Sequence, residues 1–356
     1  MDTINYNIVN SNKSKRIEYI DSMRGFTMIL VVICHVSGIC LGIESDISSF
    51  HLYLYEFRMP TFFFVSGFVL FKEDRKWNWN TVYQFICNKF RVQIITTIIF
   101  FFVYLHVNNI SIIDGIYNDS KFGYWFTYTL FIYFVSYSFS QWFLHHLKLK
   151  SWQIDTLSFF LGLAIYFLFQ IRSIFNMLQI NCDIVNILSM QHWGFFFFFI
   201  IGTLIRKHYN KVLVIIDLKY TMFFLLSIYL GLNIFHNEMI SNHLILFRFF
   251  TALSGVLIVF SFFYKNQEHF ASDKLGGKCL QYIGRRTLDI YLIHNLILPK
   301  NLFYITSFLR VSPMPIIELT ISLIISSLII SFCLALSKVL RLSPILAYLL
   351  FGIKNK

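Results

Sequence analysis

Ten apolar runs follow one another along this chain, most of them long enough to cross about 30 Å of hydrocarbon as a helix. They lie near 21–41, 50–71, 85–105, 123–144, 155–172, 190–206, 218–235, 244–264, 280–299 and 316–340. Inside a bilayer each backbone N–H and C=O must find its partner within the segment, so such runs can only be helices. The fold class expected is therefore an all-α polytopic membrane protein of about ten transmembrane helices. Only 13% of the residues are charged, against roughly a quarter in soluble domains, which excludes a soluble fold. The sixth run is short and rests on the five phenylalanines at 195–199.

Residues 1–20 are polar and read as a cytoplasmic tail, with no cleavable leader expected. Residues 21–345 read as one membrane domain, and 346–356 as a cytoplasmic end. The loop charges set the orientation. With the N-terminus inside, the inner segments hold 21 Lys or Arg and the outer loops hold 4, namely Lys121, Arg172, Lys300 and Arg310. Both termini are thus expected in the cytoplasm, in a cell (inner or plasma) membrane. The formal charge of +12 is a matter of topology and anionic lipid, and no nucleic-acid partner is implied. The six cysteines are scattered without ligand spacing and read as small buried hydrophobes, so no metal is expected.

Five arginines fall inside spans, where ionisable groups mark function by default. Arg24 and His35 are eleven residues apart on the first span, within about 20° of one face and about 16 Å apart along it. That spacing describes a polar groove from the inner mouth to beyond mid-membrane. Arg58, eight residues into the second span, arrives at nearly the depth of His35. Glu56 lies close enough in height to neutralise one of these cations. Pro60 removes the usual donor to the Glu56 carbonyl, which predicts a kink or local opening. Ser66 and Gly67 would let a neighbouring helix approach closely. The ninth span brings Arg285, Arg286 and Asp289 in low, with His294 about 20 Å above the inner surface. Structural alternatives stand beside each reading: an interhelical hydrogen bond for His294, a Glu56 salt bridge for Arg58, and interfacial snorkelling for Arg285 and Arg286.

Several blocks resemble the acyltransferase 3 family of membrane proteins. They are DSMRGFTMILVVICH with its Arg, ten residues, His pattern; FRMPTFFFVSGFVLF; YWFTYTLFIYF with Trp125 and Phe126; FFFFFIIGTLIRKH; and YIGRRTLDIYLIH. They occur in family order between residues 21 and 294. The segment NKFRVQIITTII departs from the pattern by lacking a proline after its basic cluster. The resemblance implies transfer of an acyl group, usually acetyl from acetyl-CoA, to a hydroxyl of a cell-envelope or secreted glycan or a lipid-linked sugar. By position it makes His35 the catalytic histidine, Arg24 its motif partner and Arg58 the second-span arginine, with Tyr291 and His294 in the late block.

Acyl transfer to a hydroxyl needs a base, and a neutral histidine suits that task. On this reading Arg24, with Arg285 or Arg286, holds the phosphates of acyl-CoA, and Arg58 stabilises the thioester oxyanion. Whether His35 acts as base or as acylated nucleophile is open at this point. A transporter or flippase of lipid-linked sugars would also carry intramembrane Arg and His residues. The chain lacks the internal repeat that such a carrier favours. Oligomeric state is unreadable.

Overall fold

The computed structural model describes residues 16–43, 49–170, 182–238, 244–300, 302, 305, 307 and 315–353. Among these residues the regular structure is helical throughout, with no strand. The principal helices are α1 (Glu18–His35), α2 (Ser49–Leu70), α3 (Trp79–Lys89), α4 (Thr96–Val107), α5 (Trp125–His146), α6 (Ser151–Gln170) and α7 (Phe196–Lys207). After them come α8 (Tyr209–Ile216), α9 (Thr221–Glu238), α10 (Leu244–Lys265), α11 (Leu275–Arg285), α12 (Thr287–Ile297), α13 (Pro315–Leu340) and α14 (Pro344–Phe351).

Five stretches are long and apolar enough to cross a membrane: Glu18–Cys40, Trp79–Val107, Ser151–Phe169, Ile245–Lys265 and Pro315–Leu340. A sixth results if α8 and α9, bent by 80° at their junction, form one broken span. Large apolar side chains face outward, with Phe223 72%, Leu328 67% and Ile316 81% exposed, as lipid-facing surfaces require. This is a membrane protein.

One local expectation needs correction. The ninth run is not one helix, because Arg286 (φ −113°, ψ 17°) leaves the helical region between α11 and α12. The seventh run is helical as α9, and a further short helix, α8, precedes it across a break at 217–220. Pro60 lies inside α2, which is helical on both sides of it. The wider turns occur elsewhere, as π-helical segments at Val36–Cys40, directly after His35, and at Phe90–Ile95, joining α3 to α4. Such π segments are common at functional sites.

Two glycine-mediated crossings hold the central helices together. A Cβ on Gly25 would overlap the carbonyl of Leu280, and one on Gly284 the carbonyl of Asp21, so α1 and α11 touch backbone to backbone. In the same way a Cβ on Gly67 would overlap the carbonyl of Phe199, and one on Gly202 that of Phe64, locking α2 to α7. Without a hydrophobic driving force between helices in lipid, this close van der Waals approach is what binds them. Aromatic packing fills the space between, with the Phe63 ring 4.9 Å from both Phe126 and Tyr133. At the end of α12 where α11 joins it, buried Asp289 accepts from Arg341 Nη2 at 2.8 Å and Nε at 3.0 Å and from the Ser337 hydroxyl, tying α12 to α13.

Candidate functional site

His35 is the last α-helical residue of α1, and Arg58 lies on the adjoining α2. Together they line a cavity of about 50 Å³ with Met28, Val31, Met59, Phe62, Gly123, Trp125, Phe126 and Tyr291. That volume has room for a few waters, and for the reacting end of a substrate far more readily than for a whole one. The Arg58 guanidinium sits 4.9 Å over the Tyr55 ring, and its Nε and Nη1 are buried with no hydrogen-bond partner. Buried unpaired donors of a charged group are costly, which is the condition under which an anionic oxygen is bound strongly.

The cavity wall is latched by the late helix. The Tyr291 hydroxyl donates to the Gly123 carbonyl at 2.6 Å and accepts from the Phe126 N–H at 3.0 Å, which supplies an orphan donor at the start of α5. Tyr124 returns the contact, its hydroxyl donating to the Leu292 carbonyl at 3.1 Å. Gly123 has a φ of +94°, and a Cβ there would overlap the Asn295 side chain, so the turn entering α5 requires glycine. Trp125 is clamped by His192, with ring centres 3.6 Å apart and planes nearly parallel. Tyr291→Phe would strand both the Phe126 N–H and the Gly123 carbonyl. A loss of about 1–3 kcal/mol of stability is expected, read by thermal unfolding in detergent; an unchanged unfolding curve would contradict the latch.

Of the sequence-predicted residues, His35, Arg58, Trp125 and Tyr291 meet around the cavity, and His294 lies behind it, its ring centre 5.3 Å from that of His35. Arg24 sits farther down α1, where its Nη2 donates to Thr287 Oγ1 at 3.0 Å. The others lie apart from the cavity. Glu56 does not neutralise Arg58 or His35; it faces Arg248, with Nε 3.5 Å from Oε1. Residues two apart on a helix point about 200° away from each other, so Glu56 and Arg58 serve opposite sides of α2. The Ser66 hydroxyl donates to the Phe62 carbonyl of its own helix at 2.9 Å. Arg285 is exposed, and Arg286 lies 3.4 Å from Asp289, sharing that carboxylate with Arg341.

A second group of cations was legible only as loop charge. Lys89 lies within electrostatic reach of Arg75, Arg24 and Lys72. Lys89 and Arg75 both pack on the Phe85 ring, at 5.6 and 5.1 Å, and Lys89 also lies 4.0 Å from the centre of Phe134. Among the described residues no carboxylate forms an ion pair with Arg24, Lys72, Arg75 or Lys89, and Arg75 Nη1 is buried without a partner. Like charges gathered with no direct ion pair are suited to a polyanion. The sequence signal was the setting of Arg75 and Lys89 among Trp77 and Phe85, which gives cations a half-buried place.

A family model described as an acyltransferase domain matches residues 17–337. No curated protein and no solved structure matches the chain.

Proposed function

The chain belongs to the acyltransferase 3 family and is a membrane acyltransferase, and from that membership we propose that it moves an acetyl group from acetyl-CoA to a hydroxyl of a glycan or lipid-linked sugar. The observation that carries this reading is the shared cavity, which a histidine and an arginine line together, the arginine also having two buried N–H groups without a partner. His35 takes the proton of the acceptor hydroxyl as its oxygen bonds to the thioester carbon. The negative charge that develops on the carbonyl oxygen is held by Arg58 Nε and Nη1. When the C–S bond breaks, the leaving thiolate recovers the proton from His35.

The donor enters from the cationic end. Arg24, Lys72, Arg75 and Lys89 bind the phosphates of acetyl-CoA, and the thiol arm runs along the face of α1 that carries both Arg24 and His35. We place this end at the cytoplasm, with ten membrane crossings and both termini inside, supported by the 21-to-4 distribution of loop Lys and Arg. The acceptor reaches His35 from the outer side.

Membranes carrying the protein and given radiolabelled acetyl-CoA should accumulate label in the glycan fraction. Absence of label there, with acetyl-CoA intact, would remove the reading. Arg75→Gln separates binding from chemistry. Its KM for acetyl-CoA should rise about tenfold with kcat unchanged, and the defect should grow with ionic strength. A fall in kcat at constant KM would place Arg75 outside donor binding.

A further inference from the structure

His294 is fully buried in α12 and does not line the cavity. Its Nδ1 lies 3.0 Å from the carbonyl oxygen of Ile290 and 2.8 Å from that of Tyr291. A carbonyl oxygen can only accept, so Nδ1 carries the hydrogen and Nε2 is left with its lone pair. That Nε2 is buried and has no hydrogen-bond partner. A buried acceptor without a partner is uncommon and costly, which calls for a use.

The neighbour that can supply the use is His35. The two ring centres are 5.3 Å apart, with the planes tilted by 44°. Imidazole nitrogens turned to face each other at that separation would lie about 3 Å apart, within hydrogen-bond range. His35 therefore stands between the cavity and a fixed lone pair.

We infer that His294 is a positioning residue for His35, its Nε2 accepting the N–H of one His35 nitrogen so that the other is presented to the cavity as the base. The inference rests on the acyl-transfer reading of that cavity. In the reaction the acceptor O–H bond breaks and its proton bonds to the cavity-facing nitrogen of His35. The imidazolium then carries two N–H groups, of which His294 accepts the rear one, and no proton moves to His294. The proton leaves His35 for the departing thiolate, returning both rings to their starting state. The helix carbonyls at Ile290 and Tyr291 hold the tautomer of His294, a part that a carboxylate plays in other histidine pairs.

Nitrogen-15 NMR of histidine-labelled protein in lipid nanodiscs tests this without any substrate. His294, identified by its absence from the His294→Gln spectrum, should show a protonated Nδ1 and a bare Nε2. His35, identified through His35→Gln, should show one tautomer that is kept in His294→Gln, where the amide oxygen retains an acceptor, and becomes mixed in His294→Phe. A protonated Nε2 on His294 would overturn the inference, and the wild-type spectrum decides this even if the phenylalanine variant does not fold. So would a His35 spectrum indifferent to His294→Phe. In turnover with acetyl-CoA, His294→Phe should lose about 10²-fold in kcat at unchanged KM, and His294→Gln should lie within about tenfold of wild type. Equal losses in both variants, or an effect on KM alone, would count against positioning. A wild type with the expected tautomers that transfers no acetyl would remove the acyl-transfer reading and leave the histidine contact standing.

Discussion

Replacing His35 with alanine should lower acetyl transfer from acetyl-CoA by about 10²–10⁴-fold while leaving donor affinity near that of the wild type. The donor phosphates, on this account, are held by Arg24, Lys72, Arg75 and Lys89, a group that includes no cavity-lining residue. Losing the base therefore removes chemistry and spares binding. Arg58→Met should give a parallel result, about 10²–10³-fold in kcat, because Nε and Nη1 have no other hydrogen-bond partner to release. Equilibrium binding of acetyl-CoA beside single-turnover transfer separates the two effects. Transfer that survives loss of His35 would remove the base from this position. Loss of donor binding in either variant would move the phosphate site into the cavity.

A second large effect is expected far from any reacting atom. Valine at Gly25 or Gly284 would force a side chain into the backbone of the facing helix, at Leu280 or Asp21. Overpacked cores usually lose about 1–3 kcal/mol because side chains shift to make room. Here the obstructing atoms are main-chain carbonyls, so α1 and α11 must separate and carry Arg24 away from Thr287. Loss of monodisperse protein in detergent is the expected outcome for both substitutions. Gly231→Ala and Gly276→Ala supply the control, since a Cβ at either meets nothing within 4 Å. A Gly25→Val protein with wild-type yield and unfolding temperature would show that the crossing does not hold the fold.

These crossings also explain how much of the molecule was legible in its sequence. The first resemblance block contributes Gly25 and the last Gly284; the second contributes Gly67 and the fourth Gly202. Four of the blocks are thus two packing pairs, and the third is joined to the last through Phe126 and Tyr291 and through Tyr124 and Leu292. Helices, and the depth match between His35 and Arg58, follow from hydropathy and a rise of about 1.5 Å per residue. Facing direction is a different matter. Glu56 sits two residues from Arg58, so proximity in sequence suggested a pair that helix geometry forbids. The break at Arg286 was hidden because apolar residues continue on both sides of it. Lys72 and Arg75 could be counted for topology from the loop, but their meeting with Lys89 and Arg24 is a tertiary fact.

The central claim is that the acyl end of the donor enters the cavity between His35 and Arg58. A small diazirine-bearing acyl-CoA, irradiated in membranes and mapped by peptide mass spectrometry, addresses it directly. Attachment at Met28, Met59 or Trp125, abolished by excess acetyl-CoA, is the predicted result. Attachment confined to outward-facing side chains such as Phe223 or Leu328, or unaffected by acetyl-CoA, would contradict it.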